Sequence, residues 1–314
     1  MRLSVIISTL SRKETLVRLL ENISRQTRLP EEIVIVEAGS GNLGPSDVPV
    51  SIRELIVTIY PYQASLAYSR ESGRKTATGD VIVFFDDDII IPNTYIEDVA
   101  SYMLENQDIM GVGGTYTDEN VTKRVDKSLW VGRLLGIYAD GHSNRILKSG
   151  WADYVRSGYL NDITPAQWLF GCNGAYRADA FKVPSVSIQK DMATWSFLED
   201  AVLGAMLTRN YGMCLRILPT LAVRHAPPAS FGSINKSTLR MRILYRYIFW
   251  RDFLDGVCTP SLPAFLVGMV ANLLLMLKQE RALWVAHECF QSLIFIYRNP
   301  KISWQHANDF IFGK

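Results

Sequence analysis

Cysteine is scarce in this chain, and its four copies are far apart. They are Cys172, Cys214, Cys258 and Cys289 of 314 residues, and no two have the spacing Cys-x-x-Cys. Structural zinc sites and redox-active thiol pairs commonly use that spacing, so the sequence supports neither. We therefore expect free thiols in a reducing compartment.

Apolar runs long enough to cross a bilayer and a strong excess of charge are also lacking. The nearly apolar residues 262–277 fall short of the ~20 residues that a membrane-spanning helix needs. Residues 1–8 lack the apolar core and cleavage site of a signal peptide, so we expect a cytoplasmic protein. The formal net charge of +2 argues neither for nor against a nucleic-acid partner.

Apolar residues are nevertheless plentiful enough for a large core, at 48% of the chain against 20% charged residues. Short apolar runs typical of buried strands alternate with segments of helical spacing. Strands are predicted over residues 3–8, 32–37, 55–59, 81–85, 109–117, 214–218 and 221–225, and helices over 12–26, 66–78, 93–107 and 199–210. This order predicts an α/β domain whose mostly parallel sheet is covered by helices on both faces.

We expect this domain to span residues 1–234, with the less regular, aromatic-rich residues 118–165 as an insertion over the site. Residues 235–314 are predicted to form a helical C-terminal region. Its first helix carries one apolar stripe flanked by arginines, made of Leu239, Ile243, Tyr247, Trp250 and Leu254. That layout is typical of a helix on an anionic membrane surface. Because the opposite face is apolar too, packing between the α/β domain and another helix is the alternative. Residues 262–277 are open to three interpretations: a core helix, a shallow re-entrant segment or a homo-oligomer contact.

Three consecutive aspartates, Asp86, Asp87 and Asp88, follow the apolar residues 81–85. Their charges repel, and a divalent cation such as Mg²⁺ or Mn²⁺ offsets that repulsion and prefers carboxylate ligands. Open α/β sheets bind ligands at the carboxyl ends of their strands. The triplet therefore predicts a site for a metal-bound phosphate, with a solvated acidic loop as the alternative.

A glycine motif at residues 39–44 matches the pattern Gly-x-Gly-x-x-Gly of dinucleotide sites. Such a site requires the motif to open a helix. Here prolines and another strand follow, so we interpret the glycines as part of a loop.

Seven short motifs occur in order within residues 1–230. They are Val-Ile-Ile-Ser-Thr at 5–9, Val-Ile-Val-Glu at 34–37, Ala-Tyr-Ser-Arg-Glu-Ser-Gly at 67–73, Phe-Phe-Asp-Asp-Asp at 84–88, Gly-Cys-Asn-Gly-Ala-Tyr-Arg at 171–177, Leu-Glu-Asp at 198–200 and His225. Together they resemble the family 2 inverting glycosyltransferases of the GT-A fold. The resemblance implies a nucleotide-sugar donor, with a UDP-sugar favoured, and a metal-dependent transfer to an acceptor hydroxyl.

The resemblance also implies roles on the donor side of the site. Thr9 and Glu37 correspond to positions beside the nucleotide base, Arg70 to the nucleotide pocket and Asp86 to a contact with the ribose. Glu37 replaces the usual aspartate and is longer by one methylene. Asp88 and His225 correspond to ligands of Mn²⁺ or Mg²⁺, which neutralises the diphosphate as it leaves.

On the acceptor side, Asp200 resembles the general base that takes the proton of the attacking hydroxyl. Its neighbour Glu199, together with Asn173 and Arg177, corresponds to the segments that shape the sugar and acceptor pocket. The alternative for the acidic pair is that it only complements the dipole of a helix.

Two other classes remain open. A sugar nucleotidyltransferase normally has a glycine-rich loop after its first strand, whereas residues 8–13 contain no glycine. A non-catalytic nucleotide-sugar-binding module would not need both the aspartate triplet and Asp200. No nucleic-acid partner is expected, because the basic cluster of the C-terminal helix adjoins an apolar stripe that suits lipid better. That helix favours a glycan or lipid-linked acceptor and a position at the inner face of the cell membrane.

Overall fold

The computed structural model describes residues 1–41, 43–61, 63–118, 132–155, 160–225, 235–280 and 283–313. An eight-stranded sheet forms the centre. Its strands are β1 (Leu3–Thr9), β2 (Glu32–Glu37), β3 (Ile56–Ile59), β4 (Val81–Asp86), β6 (Gly111–Gly113), β10 (Thr164–Ala166), β11 (Asn173–Arg177) and β12 (Leu215–Ile217). They lie in the order β10-β12-β6-β11-β4-β1-β2-β3. Only β10 and β11 of this sheet run antiparallel to their neighbours, which confirms the expected mostly parallel arrangement.

The pairing register brings three strand ends to one edge of the sheet. Ser8 of β1 pairs with Asp86 of β4, and Thr9 pairs with Glu37 of β2. Since parallel strands place their carboxyl ends together, residues that are far apart in sequence meet at this edge.

Helices cover both faces of the sheet, as the apolar strands predict. Four of them flank it: α1 (Lys13–Ile23), α2 (Leu66–Thr76), α3 (Tyr95–Glu105) and α4 (Glu199–Tyr211). Along β1, Val5 and Ile7 point into the core formed with α1 and α3, whereas Ile6 points into the core formed with α2 and α4. This alternation is the two-residue period of a strand buried on both faces.

The helix predicted over residues 12–26 ends at Ile23. The side chain of Gln26 donates to Pro92 O at 2.8 Å and accepts from the backbone amide of Ile96 at 3.2 Å, so the chain turns toward α3 instead of continuing the helix.

A small three-stranded sheet stands beside the central one. It consists of β5 (Ile89–Ile90), β7 (Tyr116–Asp118) and β13 (Val223–His225), and β13 lies in the middle. The strands β8 (Arg145–Ile146) and β9 (Ala152–Asp153) form a separate two-stranded sheet. His225 pairs with Ile89, directly after the aspartate triplet. The small sheet is therefore what carries His225 to the triplet.

The C-terminal region contains α5 (Lys236–Asp252), α6 (Leu262–Glu280), α7 (Leu283–Arg298) and α8 (Trp304–Phe312). Helix α5 is buried on two sides. Met241 and Leu244 join the core of the α/β domain, whereas Leu239 and Ile243 pack with α6 and α7. The apolar stripe of α5 therefore does not face lipid, and the alternative interpretation, packing between two neighbours, is the one that the structure supports.

Helix α6 extends the predicted apolar segment to Glu280 but exposes a row of apolar side chains, Leu262, Leu266, Val270 and Leu274. Among the described helices, none combines the length and the hydropathy that crossing a membrane requires. The expected domain boundary at residue 234 lies in the segment 226–234, which is outside the described residues. Residues 119–131 and 156–159 of the expected insertion are also outside the described residues.

Candidate active site

The three aspartates have three different environments. Asp87 is completely buried, accepts a hydrogen bond from Thr9 Oγ1 at 2.5 Å and lies 2.8 Å from the Arg12 guanidinium. Burial raises the pKa of Asp87 to about 7, although Thr9 and Arg12 act in the opposite direction. Asp87 therefore ties the end of β4 to the end of β1. Thr9 uses its hydroxyl for the same contact.

Asp86, Asp88 and His225 form a cluster that could hold a metal ion. One ligand atom from each residue lies within 4.8 Å of the other two. Asp88 Oδ1 lies 3.2 Å from His225 Nε2. Burial alone would raise the pKa of Asp88, but His225 and the Arg12 charge outweigh it and lower that pKa. Two carboxylates and one imidazole suit Mn²⁺ or Mg²⁺, so the donor set fits the metal expected from the sequence.

Arg70 connects the metal cluster with the acceptor side. It is 4% exposed, its Nη2 donates to Asp86 Oδ1 at 2.7 Å, and its Nη1 pairs with Glu199. A side chain at Gly171 would collide with this guanidinium and with Glu199. The glycine of the 171–177 motif therefore leaves room for the buried ion pair.

Glu199 and Asp200 begin α4, as expected. Asp200 Oδ1 accepts from the backbone amide of Ala201 at 2.8 Å, and Oδ2 accepts a longer bond of 3.4 Å from the amide of Gly171. Burial raises the pKa of Asp200, against the lowering effect of these bonds and of the Arg70 charge. A carboxylate that is harder to keep ionised is a stronger proton acceptor, as a general base needs to be.

Glu37 is held at the end of β2 by the loop after β1 and by the glycine loop that follows it. Its Oε1 accepts from the amides of Ser11 at 3.0 Å and Gly39 at 2.7 Å, and its Oε2 is buried with no hydrogen-bond partner among the described residues. Any side chain at Gly39 or Gly41 would collide with Ser11 or Glu37. The glycines therefore form a loop around Glu37, and residues 45–47 continue as a short 3₁₀ helix instead of an α-helix.

Asn173 and Arg177 do not reach the site in the way that the sequence suggests. Asn173 is fully buried, and its amide accepts from Gly114 N at 2.8 Å and donates to two carbonyl oxygens. Arg177 pairs with Val81, at the opposite end of β4 from Asp86, and donates to the carbonyls of residues 103, 106 and 109. The four-residue step along β11 from Asn173 to Arg177 spans about 13 Å. Arg177 therefore lies outside the site, and Asn173 supports it from behind.

One pocket of about 430 Å³ joins the two halves of the site. Its charged lining residues are Arg70, Asp86, Glu199, Asp200 and His225. Its aromatic lining residues are Tyr116, Tyr154, Trp168, Phe170, Trp195 and Phe197. Ala152 and Tyr154 come from the expected insertion, so its described part does border the pocket.

Sequence reasoning missed Arg12. Its guanidinium lies 2.8 Å from Asp87 and 2.9 Å from Asp88, so it contacts both buried members of the triplet. The signal was present, because Arg12 stands in the loop after β1, and that loop must meet the end of a neighbouring parallel strand.

Known proteins resemble the chain in sequence and in fold. The uncharacterized glycosyltransferase YwdF of Bacillus subtilis is 38% identical over 104 residues, which are 32% of this chain and 37% of the relative. The glucosyl-dolichyl phosphate glucuronosyltransferase of Haloferax volcanii is 30% identical over 128 residues, 40% of this chain and 41% of the relative. The chain thus matches only about two fifths of the length of these relatives.

Solved structures share the GT-A fold at low identity. The mannosyltransferase PcManGT of Pyrobaculum calidifontis, in complex with GDP-Man and Mn²⁺, has a TM-score of 0.52 at 13% identity, covering 99% of this chain and 85% of that one. GalNAc-T7, with UDP, GalNAc and Mn²⁺, has a TM-score of 0.52 at 14% identity, covering 86% and 55%. The family model described as glycosyl transferase family 2 matches residues 4–182, more than half of the sequence, so the chain belongs to that family.

Proposed function

We propose that the chain transfers a sugar from a nucleotide-diphosphate donor to an acceptor hydroxyl, with inversion at the anomeric carbon and with the help of a divalent cation. One observation carries this proposal. Asp86 and His225 of the metal cluster line the same pocket as Asp200, so donor and acceptor groups can meet there.

On the donor side, Asp86, Asp88 and His225 would hold Mn²⁺ or Mg²⁺. When bound, such an ion neutralises the diphosphate and stabilises it as a leaving group. Glu37, whose Oε2 has no hydrogen-bond partner in the part of the chain that the structure describes, would recognise the nucleotide base. Neighbours in the GT-A fold bind UDP or GDP-Man. We favour a UDP-sugar for this chain.

On the acceptor side, Asp200 would accept the proton as the hydroxyl oxygen forms its bond to the anomeric carbon. The bond from that carbon to the diphosphate oxygen breaks at the same time, and its electron pair stays with the diphosphate. Arg70 would position the reaction by holding Asp86 and Glu199 on either side of the bound sugar. For a general base, a position within hydrogen-bond reach of the acceptor hydroxyl matters more than the pKa of its carboxyl group.

We propose a glycan or a lipid-linked glycan as the acceptor. The Haloferax relative is named for a dolichyl phosphate substrate, which supports the lipid-linked choice. We also propose contact with a membrane surface or a second subunit, made by the exposed apolar row of α6.

A thermal-shift screen of nucleotide-sugars tests the donor assignment. Binding raises the melting temperature by mass action. We expect one donor to raise it with Mn²⁺ present and to do so much less in EDTA, and we expect Asp88→Asn to abolish the Mn²⁺-dependent part. No shift with any UDP- or GDP-sugar would contradict the proposal.

A further inference from the structure

Helices α6 and α7 each expose a row of large apolar side chains. The exposed residues are Leu262, Leu266, Val267, Val270 and Leu274 on α6, and Leu283, Phe290, Leu293 and Tyr297 on α7. Along each helix they recur mostly at steps of three or four residues, which is the spacing of one helix face. Single exposed leucines are common on protein surfaces and need no explanation, whereas a contiguous apolar patch marks a surface that binds a partner.

The two rows form one surface. The opposite sides of both helices pack toward α5, since Met269 of α6 and Val285 of α7 share an apolar cluster with Ile243 of α5. Helices α6 and α7 also contact each other. The exposed rows therefore lie side by side and point away from α5. We call the nine exposed apolar residues the outer face.

The outer face has no exposed carboxylate in the part of the two helices that the structure describes. The single acid of α7, Glu288, is 2% exposed and pairs with Arg240 of α5. The single acid of α6, Glu280, ends that helix, and its side chain is outside the described ones. In the turn after α5, Asp255 lies beside Arg209 of α4. A basic partner would therefore find no negative charge on the outer face.

Exposed cations stand at the ends of the two helices instead. Arg298 is the last residue of α7, and Lys301 follows it closely. Lys148 lies at the start of α6, because its carbonyl oxygen accepts from Ser261 N at 2.9 Å. All three basic side chains are exposed.

Tyr247 of α5 shows that these cations share one end of the outer face. Its hydroxyl donates to Pro300 O, just after α7, at 2.9 Å. Its ring centroid lies 6.1 Å from that of Phe265, in the first turn of α6. The end of α7 and the start of α6 thus meet at the same point of α5. This basic end also carries Tyr297, which is 87% exposed.

The outer face lies close to the pocket. The ring of Trp151 packs against Phe265 of α6 with centroids 6.4 Å apart, and a side chain at Gly268 would collide with that ring. The next residue, Ala152, lines the pocket. Helix α6, about 10 Å across, is therefore the layer between the outer face and this part of the pocket rim.

We propose that the outer face docks on a membrane surface that contains anionic lipid, with Lys148, Arg298 and Lys301 at the headgroups. The apolar rows enter the boundary between headgroups and acyl chains, as the apolar side of an interfacial helix does. Tyrosine is favoured at that depth, in agreement with the exposure of Tyr297. A second copy of the chain is a poorer partner. It would present the same surface, with cations and no carboxylate to pair with them.

This inference rests on the contact proposed above for α6 and gives it one partner. It also gives the contact a purpose in the proposed reaction. A lipid-linked acceptor held in the membrane would meet the pocket beside Ala152, next to the docked helix.

Co-sedimentation of the full chain with lipid vesicles in EDTA tests the proposal, because EDTA removes any cation that could bridge protein and phosphate. The vesicles contain phosphatidylcholine alone or mixed with phosphatidylglycerol. We expect tighter binding to the anionic mixture, and we expect salt to weaken that binding. Leu266→Glu should weaken binding to both kinds of vesicle at least about tenfold. Arg298→Gln should weaken only the binding to anionic vesicles, by about fivefold.

Two substitutions at exposed positions outside the C-terminal helices are the matched controls. Leu104→Glu on α3 and Arg18→Gln on α1 should leave binding to both kinds of vesicle unchanged. Leu266→Glu should keep the melting-temperature shift that a nucleotide-sugar causes in the parent chain with Mn²⁺. That result would show that the variant is folded and that its donor site is intact.

The other outcomes separate the ways to fail. No binding to anionic vesicles, or binding that Leu266→Glu leaves unchanged, would overturn the proposal. A dimer in analytical ultracentrifugation that Leu266→Glu dissociates would overturn it too, because the outer face would then contact a second copy. A donor-dependent melting shift without vesicle binding would refute the docking alone. Vesicle binding without a shift from any donor would refute the donor assignment and support the docking.

Discussion

Arg12 Nη1 donates to Asp88 Oδ2 at 2.9 Å. This contact places a fixed positive charge on a carboxylate that the proposed cation would also bind. The same guanidinium reaches Asp87. Arg12 therefore offsets part of the charge repulsion within the triplet without the help of a cation.

We expect Arg12→Gln to lower the stability of the protein in EDTA by about 1 kcal/mol, because two buried carboxylates lose a charge-assisted partner. Mn²⁺ should restore most of the loss, since a cation can replace the missing charge. Urea unfolding with and without Mn²⁺ measures both effects. Arg18→Gln, at an exposed position of α1, is the control. An equal loss of stability with and without Mn²⁺ would contradict the hypothesis that Arg12 and the cation neutralise the same carboxylates.

Arg70 and Glu199 should behave as one buried unit. Arg70→Met leaves the Glu199 carboxylate buried without its cation, which costs about 3–5 kcal/mol. The double variant Arg70→Met with Glu199→Gln should recover a large part of that loss. Arg25→Met breaks an exposed pair with Glu21 on α1 and should cost no more than about 1 kcal/mol. Additive losses in the urea-unfolding cycle would show that the two residues are not coupled.

Removal of single metal ligands should separate the cluster from the rest of the site. We expect Asp88→Asn and His225→Ala each to weaken Mn²⁺ binding in the presence of the nucleotide by at least about tenfold. His287→Ala, at an exposed position of α7, should have no effect. Calorimetric titration with Mn²⁺ provides the measurement. Unchanged affinity in His225→Ala would remove His225 from the ligand set.

The pH dependence of transfer should report Asp200. A general base works only when it is deprotonated, so kcat/KM must fall as the pH drops through its pKa. Burial raises the pKa of Asp200 above its ordinary value of 3.8, so the acid limb should lie above pH 3.8. The profile is measured with saturating Mn²⁺, and nucleotide affinity over the same range shows whether the metal ligands titrate instead. An acid limb at or below pH 3.8 would contradict the assignment.

Much of the donor side can be predicted from sequence, because parallel strands bring their carboxyl ends to one edge. Knowing that β1, β2 and β4 are apolar strands is enough to place Thr9, Glu37 and Asp86 near each other. The different roles of the three aspartates are not predictable in this way. It depends on the partners Thr9, Arg12 and His225, which come from three different elements.

Arg177 and the apolar stripe of α5 could not be placed from the sequence alone, for the same physical reason. Arg177 follows Asn173 closely in sequence, but β11 runs antiparallel to β4 and carries Arg177 to the far end of the sheet. The stripe of α5 has the pattern of a lipid-facing helix, yet α6 and α7 cover it. In both cases contacts between distant segments of the chain determine where the residues lie. A local sequence pattern carries no information about those contacts.

In the proposed reaction, donor and acceptor chemistry share one pocket, with Asp200 as the base. The most direct test is single-turnover transfer by Asp200→Asn beside calorimetric binding of the nucleotide-sugar with Mn²⁺. We expect transfer to fall by about 10³-fold, with donor affinity nearly unchanged. Transfer at the rate of the parent chain would contradict the claim.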